Sequence, residues 1–101
     1  MSAFALSPGA DEDIWSIWQY LAQESGVTVA NRVETELLDA FETLARSPGI
    51  GHRRADLTDH PVFFFAVYQY LIVYRKSLPL EITAVIHGKR DVEQILKERR
   101  L

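Results

Sequence analysis

The stretch "VFFFAVYQYLIVYR", Val62 to Arg75, decides the fold. It is dense in β-branched and aromatic residues, the composition of a strand rather than a helix. Its 14 residues exceed one ordinary strand. A bend near Tyr68 and Gln69 therefore predicts two strands, although no Asn-Gly or Gly-Gly marks the turn. "KSLPLE", Lys76 to Glu81, reads as the next turn, and "ITAVIH", Ile82 to His87, as a third strand. Three strands joined this closely form an antiparallel meander.

Upstream the period changes. Ile14, Ile17, Trp18 and Leu21 recur at three- and four-residue steps, so one helical face is apolar. Ser7 supplies a capping hydroxyl, and Pro8 suits the first helical position. Asp11, Glu12 and Asp13 fall where the helix dipole favours negative charge. Gly26 stops this helix. A second begins near Thr28, with Ala30, Val33, Leu37, Ala40, Phe41 and Leu44 on one face, and "SPG" at 47–49 ends it. Trp18 reads as core; Trp15 lies partly off the stripe and is either core or an interface anchor. "AFALS" before the helices reads as a short strand, and "IGHRRADLTDHP", 50–61, as a connector too short to separate domains. The tail "DVEQILKERRL" places Val92, Ile95 and Leu96 at helical spacing, with Asp91 as its cap. The expected fold is α+β: one domain over 1–101, with an N-terminal strand, an antiparallel two-helix hairpin packed on a twisted antiparallel β-meander, and a short C-terminal helix.

Composition narrows the function. The 101 residues are 48% hydrophobic and 25% charged, as in an ordinary globular domain. There is no cysteine, which removes disulfide and thiolate chemistry. The N-terminus lacks the pattern of a secretory signal and no apolar run is long enough to span a bilayer, so a cytoplasmic location is expected. The net charge of −3 hides an asymmetry. Residues 1–50 hold two cations and eight acids (2 − 8 = −6); residues 51–101 hold nine cations and six acids (9 − 6 = +3). A uniformly basic nucleic-acid binder is disfavoured, whereas an acidic layer beside a basic face is allowed.

His52, His60 and His87 have no paired spacing on one element, so no metal site is expected. No serine sits in a nucleophile elbow, and "GIG" at 49–51 lacks the spacing and lysine of a phosphate loop. What remains is a set of cations with one histidine: Arg53, Arg54, Arg75, His87, Lys89 and Arg90. If strand ends and loops converge, these residues form a target-binding face. A ribonuclease-like use is conceivable, with guanidiniums holding a phosphate and an imidazole moving the proton. Surface pairs such as Arg54 with Asp56, or Arg90 with Asp91, are the plainer account of the same residues.

"LSPGADEDIWSIWQYL", "LLDAFETLARSPGIGHRRADL", "YLIVYR" and "AVIHGKRD", in that order, resemble the RelE/ParE superfamily of toxins from type II toxin–antitoxin modules, over Phe4 to about Leu96. The ParE-like branch is the nearer. That resemblance implies a gyrase inhibitor without catalysis or cofactor of its own. It also implies a cognate, ParD-like antitoxin that wraps the toxin in a hetero-oligomer and alone contacts operator DNA. Arg54, Arg75, His87, Arg90 and Asp91 match recurrent family positions. The alternative is a RelE-like endoribonuclease that cuts mRNA on the ribosome, with His87, Arg90, Arg54 and Arg75 as its catalytic set. A non-toxic interaction domain is the third reading. No tyrosine follows Arg90, and the acidic balance departs from the RelE pattern. For the antitoxin, an apolar groove is expected, walled by Trp15, Phe63 and Phe65.

Overall fold

The computed structural model describes residues 3–101. The elements follow as β1 (Phe4–Leu6), α1 (Pro8–Ser25), α2 (Val27–Arg46), a 3-10 turn (Pro48–Ile50), β2 (Phe63–Val67), β3 (Tyr70–Arg75), β4 (Leu80–His87) and α3 (Val92–Arg99). The sheet order is β1-β4-β3-β2. The expected α+β arrangement is present, and the long apolar stretch splits at Tyr68 and Gln69 as anticipated. The meander is antiparallel, but β1 joins the edge beside β4 in parallel, so the sheet is mixed.

Local chemistry explains the joints. Ser7 Oγ accepts from the Ala10 N–H at 3.1 Å, capping α1. Gly26 alone separates the helices, at φ +92°, where a side chain would be strained. Asp91 caps α3 by accepting from the Gln94 N–H at 3.1 Å. Arg100 ends α3 in the left-handed conformation, and the Leu101 N–H returns to the Leu96 carbonyl at 2.9 Å.

Both sheet faces are covered. Ile14, Leu37, Phe41 and Leu44 of the hairpin pack on Ile72, Tyr74 and Ile82. On the opposite face α3 lays Val92, Ile95 and Leu96 against Phe64, Val73, Ala84 and Ile86. This explains why β3 and β4 read as nearly unbroken apolar runs. A bulge lets β4 serve both layers. Val73 pairs with Ala84 and Tyr74 with Ile82, which leaves Thr83 as the extra residue. The Thr83 hydroxyl donates to the Val73 carbonyl at 3.0 Å, and the Thr83 carbonyl accepts from Ser7 Oγ at 3.1 Å. The bulge thus anchors the start of α1. Beyond α2, the buried Tyr74 hydroxyl donates to the Pro48 carbonyl at 2.6 Å and accepts from the Gly51 N–H at 3.0 Å. A Cβ at Gly51 would lie 2.7 Å from the Tyr74 ring, so this approach requires glycine.

Candidate functional site

β1 covers only Leu80 to Ile82 of β4, because the chain turns into α1 at Ser7. The rest of β4, out to His87, is left without a strand on that side. Along this open edge runs a groove of about 630 Å³, walled by Ile17, Tyr20, Tyr70 and Val85, with His87 and Arg90 among its polar rim residues. Its size and apolar walls suit a ligand or a partner segment. Tyr70 is buried against the His87 ring, edge to face at 5.4 Å, while Tyr20 is 62% exposed and forms the outer wall.

The floor of the groove is an ion pair that bridges three elements. Asp13, only 9% exposed, accepts from the Val85 N–H at 2.9 Å and from both terminal nitrogens of Arg99 at 2.7 Å. Val85 would otherwise present a bare donor at the strand edge, so the carboxylate takes the place of a missing strand. Arg99 reaches it from α3, on the other sheet face. The Asp13 hydrogen bond raises the Arg99 pKa above its ordinary value against the opposing effect of burial. Asp13 was expected to act only as a first-turn dipole partner; its role here is a cross-layer tie. Asp13 and Arg99 lie 86 positions apart, and no local pattern links them.

The expected convergence of the cations is not found. Tyr70 pairs with His87 and Arg75 with Glu81, so Arg75 and His87 stand at opposite ends of the β3–β4 ladder. At ~3.3 Å per residue, that is roughly 16 Å along the strand. Arg75 sits 3.9 Å from Glu81, with its Nε buried and unpartnered. Arg54 is held bidentately by Asp56 at 2.9 and 2.8 Å, which pushes the Arg54 pKa up and the Asp56 pKa down through that same hydrogen bond. Arg53 donates to the Asp59 carbonyl at 3.4 Å within the connector. Lys89 and Arg90 are exposed in the turn after β4, and the Lys89 N–H donates to His87 Nδ1 at 3.1 Å. His87 and Arg90 share the groove, and Arg54 and Arg90 share a neighbouring hollow; Arg75 is in neither.

The expected antitoxin walls also separate. Phe63 and Phe65 are half-buried beneath the helices on β2, at the sheet edge away from the groove. They face inward because β2 alternates, with Phe64 turned toward α3. Trp15 is 57% exposed, but on the flank of α1 turned away from Asp13, Ile17 and Tyr20. The groove's own walls on α1, Ile17 and Tyr20, share a helical step with Asp13. That spacing was visible in the sequence beside the core stripe.

Residues 4–92 match the family model for the ParE toxin of type II toxin–antitoxin system, parDE. The chain belongs to the ParE toxin family. It is 31% identical over 96 residues to Toxin ParE1 of Caulobacter vibrioides, covering 86% of this chain and 90% of that protein. Its fold is similar to a chain from the chromosomal ParDE TA system of P. aeruginosa, with a TM-score of 0.72 at 14% identity, over 88% of this chain and 98% of the other. The ParE-like protein described here is thus the toxin of a type II toxin–antitoxin module, for which an antitoxin is the implied partner. No helix among the described residues is long and apolar enough to cross a membrane.

Proposed function

We propose that this ParE-family toxin acts by binding DNA gyrase and stalling it, and that an antitoxin segment neutralises it by lying along the β4 groove. The observation that carries the first part is the dispersal of the cations. An RNA-cutting site needs a proton-transfer group and several cations around one phosphate. Arg54 is tied to Asp56, and Arg75 lies a ladder length from His87, so of the six expected cations only the pair His87 and Arg90 lines the groove. Such a pair suits a macromolecular contact better than hydrolysis. The acidic balance of −3 weighs the same way, since ribosomal RNA rewards positive charge. For the antitoxin, the apolar walls Ile17, Tyr20, Tyr70 and Val85 are the best-formed seat, in place of Trp15, Phe63 and Phe65.

Purified toxin added to gyrase and relaxed plasmid should inhibit supercoiling and accumulate cleaved DNA. Unchanged supercoiling at saturating toxin would remove the gyrase reading. Cuts at codon positions in mRNA on programmed ribosomes, abolished by His87→Ala, would replace it with the endoribonuclease reading.

A further inference from the structure

On the flank of α1 turned away from the groove, the indoles of Trp15 and Trp18 stack in parallel, with centroids 5.9 Å apart and planes 4° apart. Trp18 is fixed because its indole N–H donates to Asn31 Oδ1 on α2 at 2.9 Å. Trp15 carries the outer exposed face of the stack. A large aromatic held rigid and exposed on a helix is unusual when burial is available, and exposed apolar surface of this kind marks contact sites. We propose that this stack is a docking surface for a cationic segment of a partner protein, one that presents arginine or lysine side chains to the indole faces.

The charge around the stack selects the occupant. Asp11 lies one turn before Trp15 on α1, and Glu34 lies one turn after Asn31 on α2. The first 50 residues supply only two cations. Arg32 is near Tyr68, about 100° round α2 from Asn31, and Arg46 is in the last turn of that helix. An indole face draws a cation, and neighbouring carboxylates add to the attraction. The molecule contains the satisfied version of this contact: Lys76 Nζ stands 4.1 Å over the Phe63 ring. Among the described residues no cation occupies the tryptophan stack, which leaves its outer face open to a partner's side chain. Because the stack and the groove lie on different flanks of α1, a segment in the groove leaves the stack free. The toxin therefore has a second contact surface, independent of the first.

The test uses the whole chain and a short end-blocked peptide of alternating arginine and glycine. Binding is followed by the two indole N–H resonances in NMR and by calorimetry. Both resonances should shift saturably, and Trp15→Ala should weaken binding about fivefold, the range of an exposed cation–π contact plus its apolar area. Trp15→Phe should recover part of that loss. Asp11→Asn should weaken binding more than Glu93→Gln, which removes the same charge from α3. Unchanged affinity in Trp15→Ala, with the Trp18 resonance retained as evidence of folding, would overturn the proposal. Equal weakening by Asp11→Asn and Glu93→Gln would do the same, since it signals attraction by net charge alone. Self-association of the wild type that Trp15→Ala abolishes would assign the surface to a second copy instead.

Discussion

Asp13→Ala is the sharpest test of how the groove is built. The substitution removes three hydrogen bonds at once, from the Val85 N–H and from two Arg99 nitrogens. The Val85 donor then lies buried with no acceptor, which costs ~1–3 kcal/mol. The Arg99 side chain is 31% exposed, so its freed guanidinium can turn to water, and the ion-pair contribution is discounted accordingly. That part adds ~1 kcal/mol, for a total of roughly 2–4 kcal/mol. For a domain of this size, a loss near 3 kcal/mol lowers the melting temperature by roughly 12–24 °C. Thermal and urea unfolding followed by circular dichroism measure it. Arg99→Ala should also destabilise, because it leaves a buried carboxylate with one donor. The double variant should cost at least ~1 kcal/mol less than the sum of the singles, as expected for residues sharing one network. A melting temperature within ~4 °C of wild type for Asp13→Ala, or additivity within ~0.5 kcal/mol, would refute the cross-layer tie.

Other perturbations probe other joints. Gly51→Ala drives a methyl into the Tyr74 ring and should cost ~2–3 kcal/mol in urea unfolding. Tyr68→Gly relieves a tyrosine held at φ +55° in the β2–β3 turn and should raise the melting temperature by a few degrees, even though it removes the contact with Glu36 that raises the Tyr68 pKa. Burial raises Tyr70 and Tyr74 above the ordinary value of 10.0, so the folded state holds these phenolic protons more tightly than the unfolded chain. Their stabilisation is complete below pH 10.0 and drains as pH rises from there through the raised folded values; a pH series of unfolding free energies checks the sign. In the groove, Tyr20→Ala should weaken antitoxin binding by about tenfold in calorimetry while leaving stability nearly unchanged, since the ring is mostly exposed.

The fold was legible because its signals are local. Helical spacing at Ile14, Ile17 and Leu21, strand composition from Val62 to Arg75, and the caps Ser7 and Asp91 each lie within a few residues of what they determine. The site was less legible because its parts meet only through topology. Which end of a ladder Arg75 occupies depends on the pairing of β3 with β4, and composition carries no trace of that. The parallel placement of β1 beside β4 is likewise a long-range choice. The early end of β1, where the chain turns into α1 at Ser7, leaves β4 partly uncovered and so creates the groove. Phe63 and Phe65 looked available as walls because alternation in β2 can be read on either phase; α2 lying over that face decides it.

An uncovered strand edge is a hazard, since its free N–H and C=O groups invite pairing with any extended chain. In this toxin the two open edges are handled differently. At β2, the connector crosses back and His52 exchanges both backbone hydrogen bonds with Phe64, at 3.0 and 2.8 Å, so the chain itself blocks the edge. At β4, a side chain does the work: Asp13 satisfies one donor and leaves the space around it open as a groove. The first device removes surface; the second preserves it. A carboxylate gripped by Arg99 also sets what the groove accepts. An added strand would have to displace an acceptor that already holds three donors, whereas side chains entering between Tyr20 and Tyr70 meet no such cost. The β4 edge is therefore protected against indiscriminate strand pairing, while the apolar walls beside it stay open.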